Sequence, residues 1–162
     1  MGIRQRRVEV DYLKVEEEFK LLGFGFSTID EKPNAQTRET RYVNDVSTST
    51  NVVGYKREFD YESDQIESDE VIEYIVNIAK EGKTGGECET EYLRVDTDKE
   101  SSTEGSYYAR KFKVAIQVNE MPNNDGNLGA NGVFLCLGDA IIGSFDKTTK
   151  TFTEGFTPKA KV

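Results

Sequence analysis

Apolar and charged residues alternate with a period of two through much of this chain, a pattern that buries one face of an extended strand and cannot form the stripe of a helix. Phe112, Val114, Ile116 and Val118, set between Lys111, Lys113, Ala115 and Gln117, show it most cleanly. Val8, Val10 and Tyr12 repeat it against Arg7, Glu9 and Asp11. Val53, Tyr55, Phe59 and Tyr61 share one parity, interrupted only by Arg57, while Lys56, Glu58, Asp60, Glu62 and Asp64 share the other. The pattern predicts one strand with an aromatic face and an acidic stripe. Further strands are expected at Leu21–Phe26, Tyr92–Asp96, Val133–Leu137, Ala140–Phe145 and Lys150–Thr153, the last two flanking the turn Asp146–Thr149.

One segment breaks the rule. Val71, Ile72, Ile75, Ile78 and Ala79 recur at helical spacing, with Ser68 as expected N-cap, Asp69 and Glu70 at the positive end of the macrodipole, and Gly82 as the stop. So short a helix is marginal alone and is expected to dock on a sheet. Between Pro33 and Asn51 there is little apolar content except Tyr42, Val43 and Val46, which predicts a long irregular arm, functional or disordered. Thr97–Ser106 and Pro122–Gly132 read as loop and turn, and Gly155–Val162 as a mobile tail. With 162 residues and no internal repeat, a single mainly β domain over 1–162 is expected.

Composition removes many functions. The chain has no histidine, so Ser-His-Asp triads, Cys-His dyads and histidine-based zinc centres are impossible. Cys88 and Cys136 lack CxxC spacing and read as reduced fillers. Asn123-Asn124-Asp125-Gly126 resembles a calcium loop, but aligning on Gly126 puts Met121 at the first ligand position and Gly132 where a bidentate Glu belongs. Gly23-Phe-Gly25 and Gly126-Asn-Leu-Gly129 complete no phosphate loop. No cofactor, metal or catalytic residue is expected. Carboxylate pairs for glycoside hydrolysis are available among thirty acids, but the chain lacks Trp, the commonest sugar-stacking platform, and the solvated-face reading is preferred. No apolar run is long enough to span a membrane, and the basic N-terminus leads into no signal-peptide core.

The net charge of −9 is concentrated in residues 58–108, which carry four Lys and Arg against sixteen Asp and Glu. Tight binding to DNA requires cations against its phosphates, so this chain is not expected to grip a duplex, although it can sit beside one without sticking. The Tyr107-Tyr108 pair before Arg110-Lys111 reads as the start of a strand rather than a nucleic-acid surface. The stripe Glu58, Asp60, Glu62, Asp64 has two readings: an ordinary solvent face, or the lining of a passage from which a polyanion is repelled.

The order of segments carries a resemblance. Leu21-Leu-Gly-Phe-Gly-Phe-Ser-Thr-Ile-Asp-Glu-Lys-Pro33-Asn-Ala-Gln-Thr-Arg-Glu-Thr-Arg-Tyr-Val-Asn-Asp45, then Gly54-Tyr55, the helix Glu70–Ala79, Ala109–Val118, and Gly138–Phe145 with Thr149–Thr153 resemble the major tail (tail tube) proteins of siphophages, the long-tailed non-contractile phages, and their prophages. The match spans most of residues 8–153 and departs at Cys136 and at the acidic loop Lys99–Gly105. It implies a β-sandwich or barrel-like domain with one flanking helix and no enzymatic activity. It further implies hexameric rings that stack into a tube, a conduit for viral DNA in a virion made in the bacterial cytoplasm. Partners implied are further copies of the chain and the tape measure, tail terminator and distal tail proteins. Under this resemblance Arg38, Arg41, Tyr42 and Asn44 belong to an inter-ring arm, and Glu58, Asp60, Glu62 and Asp64 to an acidic lumen or exposed face. The alternative is a stand-alone β-sandwich module binding carbohydrate or a host surface.

Overall fold

The longest strand is the one whose alternation is cleanest. In the computed structural model, which describes residues 2–161, strand β8 (Ser106–Glu120) runs through the centre of the molecule. It pairs along one side with β7 (Glu89–Glu100). Its other side is shared: Ser106–Lys111 pair with β11 (Ile141–Asp146), and Val114–Glu120 with β10 (Asn127–Cys136). With β1 (Glu9–Val15), β2 (Glu18–Leu22), β3 (Phe26–Lys32) and β6 (Glu58–Asp64), the main sheet has the order β2-β1-β7-β8-β10-β6-β3, every pairing antiparallel, and curls into a half-barrel. The hairpin partner β12 (Thr151–Glu154) extends β11, and the two-residue β9 (Asn123–Asn124) folds back on β10. The expected mainly β fold with one helix is borne out.

Both faces of the central strands are buried, by different means. On the concave face Leu13, Phe59, Tyr61, Tyr92, Phe112 and Phe134 pack together. Their rings meet at 4.6 Å for Tyr61–Phe134 and Phe59–Tyr92, and at 5.1 Å for Phe59–Phe112. The helix α1 (Glu70–Lys80) covers this cluster with Val71, Ile75 and Ile78. On the opposite face Tyr12, Leu93, Val95, Ala109 and Phe145 form a second cluster, with Phe19 and Phe152 packed on it. Strands covered on both sides need no alternation, which is why Tyr92–Val95 reads as a continuous apolar run broken only by Arg94.

Several boundaries differ from expectation. The N-cap of α1 is Asp69 rather than Ser68: its carboxylate accepts the Val71 and Ile72 amides at 3.0 and 3.1 Å. At the other end Gly82, at φ +62°, donates to the Ala79 carbonyl and Lys83 to that of Ile78, the paired bonds of a Schellman stop. The strand expected over 53–61 is two strands, β5 (Ser49–Tyr55) and β6, separated at Lys56-Arg57. The stretch 33–51 is not irregular: β4 (Ala35–Thr40) and β5 make a two-stranded sheet of their own. The loop expected at 97–106 shrinks to 101–105 because β7 and β8 continue through their polar ends. The tail has more anchors than its composition suggests, since Ser102 donates to Thr157, Lys159 to Glu100, and Phe156 stacks edge-on against Tyr108 at 5.1 Å.

Gly132 marks a bulge in the β10–β8 ladder, where a side chain would collide with the Gln117 carbonyl and lie 2.8 Å from the Tyr61 hydroxyl. That hydroxyl donates to Gln117 at 3.1 Å through the space the glycine leaves. Gly132→Ala is therefore expected to destabilise the fold by about 1–3 kcal/mol, the usual cost of overpacking. The urea midpoint measures it, with Gly54→Ala, which meets nothing within 4 Å, as the control.

Candidate functional site

The residues singled out in the sequence fall on one continuous piece of chain: β3, the β4–β5 hairpin and β6. The hairpin springs from the β3–β6 pair, whose register runs from Lys32↔Glu58 at the hairpin end to Phe26↔Ser63 at the other. Two bonds clamp its base: Lys56 N–H donates to the Asn34 carbonyl and Asn34 Nδ2 to the Lys56 carbonyl, both at 3.1 Å. At its tip the Asp45 carboxylate accepts the Tyr42 amide at 2.8 Å, and the Asp45 amide donates back to Tyr42 at 3.0 Å. Arg38 lies on β4 opposite Asn51, while Arg41, Tyr42 and Asn44 lie in the turn region. All four are exposed.

Beyond its base, where Arg57 lies over the Tyr55 ring at 5.6 Å, the hairpin's apolar side chains are left in solvent. Val43 and Val46 at the tip are essentially fully exposed, and Tyr42, Val52, Val53 and Tyr55 are more than half exposed. Val52 and Tyr55, paired with Thr37 and Ala35, share one face of the ribbon, and Val53 is the extra residue of a bulge opposite Gln36-Thr37. A two-stranded ribbon with no packed face is marginal by itself.

Glu58, Asp60, Glu62 and Asp64 alternate on β6 with Phe59, Tyr61 and Ser63, which are buried. The stripe therefore lies on the sheet face opposite the main aromatic core. Asp30 stands directly across from Asp60 on β3, and like charges in that position repel. Lys32 relieves this by pairing with Asp60, and its own pKa is raised by that hydrogen bond and by the charges of Asp60, Glu58 and Asp30. Among the described residues Lys32 is the one cation ion-paired with any of these five carboxylates. Among the described residues no ion pair joins Arg38 or Arg41 to a carboxylate of the same molecule.

A second charged group lies inside the half-barrel, and sequence reasoning missed it. Arg94 on β7 is 3% exposed, as is Asp11 on β1, and its Nε donates to Asp11 at 2.9 Å. Its Nη2 donates to the Ile29 carbonyl of β3 at 2.8 Å. Tyr92 donates its hydroxyl proton to the same carboxylate, and Arg6 reaches the second Asp11 oxygen at 2.5 Å. Alongside, Arg110 grips Glu31 of β3 through two bonds of 2.8 and 2.9 Å, with Arg57 at 3.0 Å. Burial pushes the Tyr92 hydroxyl well above its ordinary pKa, and the Asp11 charge adds to it. For Glu31 burial acts upward, but the Arg110 hydrogen bonds and the charges of Arg110, Arg94 and Arg57 outweigh it and hold the carboxyl below its usual value. The available signal was parity: Arg94 shares it with the buried Tyr92, not with a solvent face.

No helix among the described residues is long and apolar enough to cross a membrane, and no cluster of three or more metal-ligating side chains occurs among them. No family model and no curated protein matches the sequence. Solved structures do match in fold. One is a chain of a structure described as the tail of an empty GTA particle, computed with helical refinement and C6 symmetry, at a TM-score of 0.57 and 10% identity. The likeness covers 93% of this chain and 99% of that one. The fold is thus one found in a chain of that tail structure, in line with the resemblance in the sequence.

Truncating Arg94 to Ala leaves the buried Asp11 with only Arg6 and the Tyr92 hydroxyl, and is expected to cost up to about 3–5 kcal/mol in urea unfolding, the range for breaking a buried pair. Glu31 supplies an acid-side test. Because its folded pKa lies below its unfolded one, its contribution is present above the ordinary glutamate range and is lost as pH falls through the folded value. Glu31→Gln should therefore flatten the fall in stability between roughly pH 5 and pH 3, read as the melting temperature against pH.

Proposed function

We propose that the chain is the structural, non-enzymatic subunit of a phage tail tube, self-assembling into stacked rings, six to a ring. The observation that carries this is the β4–β5 hairpin, an ordered ribbon whose tyrosines and valines a solitary molecule leaves in water. Contiguous apolar surface of this kind marks a surface that another molecule covers. The fold likeness to a C6-symmetric tail supports the same reading. Edge strands of the curled sheet offer further backbone donors and acceptors to neighbouring copies, which removes the hazard of free edges.

In this reading Arg38, Arg41, Tyr42 and Asn44 act in the inter-ring arm. Glu58, Asp60, Glu62 and Asp64 supply an acidic wall, repelling phosphates so that DNA passes without binding. The tape measure, terminator and distal tail proteins would meet the tube at its axis and ends, and the site of function is the virion.

Deleting residues 36–50 spares every member of the Arg94–Glu31 cluster, so the variant is expected to remain a folded monomer and to lose polymerisation in light scattering and negative-stain microscopy. Tubes formed by the deletion would exclude the hairpin. Wild-type protein that stays monomeric at every concentration would exclude the tube and favour a stand-alone binding module. If charge pairs contribute to assembly, raising salt should slow polymerisation, since exposed pairs are screened over roughly 8–10 Å.

A further inference from the structure

The β3–β6 pair has two ends. The hairpin leaves from the Lys32–Glu58 end. At the Phe26–Asp64 end, about 20 Å away at roughly 3.3 Å per residue, the chain forms a groove of about 850 Å³ between α1 and the β9–β10 turn. Beneath it lie Ile72 and Val76 of the helix, both buried. Ile66 and the half-exposed Leu128 form its walls. Glu67 and Glu73 join Asp64 on its rim, against a single base, Lys80. Among the described residues neither glutamate is ion-paired.

We infer that this groove receives the β4–β5 hairpin tip of a second copy of the chain, Tyr42, Val43 and Val46 meeting Leu128 and Ile66 while Arg38 and Arg41 face Glu67 and Glu73. The inference rests on the tube reading above and adds the receiving surface. Three features carry it. The tip is apolar and exposed in the monomer, and the groove offers it the half-exposed Leu128 and the part-buried Ile66. Their flanking charges are opposite: of the two acids near the arginines, Glu39 is on the other face of the ribbon from Arg38, and the Asp45 carboxylate is engaged by the Tyr42 amide. Tip and groove also sit at opposite ends of one strand pair, so a hairpin cannot reach its own groove. A contact between two different patches is heterologous, and when its rotation does not close it propagates as an open stack. The same translation along the β3–β6 axis then serves every copy.

Disulfide trapping tests this. Val43→Cys and Leu128→Cys are surface substitutions, and each is assembled alone and as a mixture of the two chains under mild oxidation. The expected result is a disulfide-linked dimer in the mixture and in neither variant alone. Tubes in which the mixture does not cross-link, or in which Val43→Cys chains link to one another, would overturn the groove while leaving the tube reading intact. Failure of the wild type to polymerise would overturn both. A charge test stands beside it: Arg38→Glu with Arg41→Glu should raise the critical concentration roughly tenfold, two pairs being turned from attraction to repulsion. Adding Glu67→Arg with Glu73→Arg in the same chain should restore it. Absence of rescue in tubes that do form would count against the groove.

Discussion

The curl of the main sheet depends on the guanidinium of Arg94. In strand order β3 is the last member of the path that begins at β2, yet Arg94 on β7 reaches across the concave side to the Ile29 carbonyl while holding Asp11 of β1. Glu31, two residues further along β3, is held in the same way by Arg110 of β8. These bonds are directional, unlike the apolar contacts of Phe59, Tyr92 and Phe112 beneath them. Charge-assisted bonds to one backbone carbonyl and one carboxylate set where β3 sits along its length as well as how near it lies. Buried charges are costly, and the arrangement persists because each finds partners.

What leaves β3 inherits that placement. Asn34 follows Glu31 by three residues and opens the hairpin, whose base is clamped to Lys56 before β6 re-enters the sheet. The projecting ribbon is thus aimed by a cluster buried in the half-barrel. It has almost no packing of its own, and its exposed valines and tyrosines give it the character of half an interface. The acidic stripe is positioned by the same logic: Phe59 and Tyr61 are drawn into the aromatic core, and the alternation of β6 leaves Glu58, Asp60, Glu62 and Asp64 no choice but the outer face.

The hairpin Ala35–Tyr55 lies outside the core of the domain. The conformational entropy of holding that ribbon is offset in the monomer only by its ladder and its turn bonds. In a stack, each copy would lend its ribbon to the next and receive one in return. Rigidity of the β3–β6 pair then matters more than global stability, because it sets the spacing from copy to copy.

Periodicity alone determined that this is a mainly β chain with one helix, and it located the aromatic and acidic faces of β6 and the alternation of β8. Side-chain period is a local property of the backbone and survives without tertiary context. The limits of α1 were also legible to within a residue, though its cap proved to be Asp69, because Ser68 takes a positive φ of 64° and lies outside the helix. Tertiary structure decided the rest. Whether residues 33–51 form an irregular arm or a ribbon turned on cross-strand hydrogen bonds, which composition does not encode. Arg94, Asp11, Glu31 and Arg110 look like surface charge in a chain of thirty acids, since a charge is buried only where the fold supplies its counter-charge, and those partners come from strands far apart in sequence.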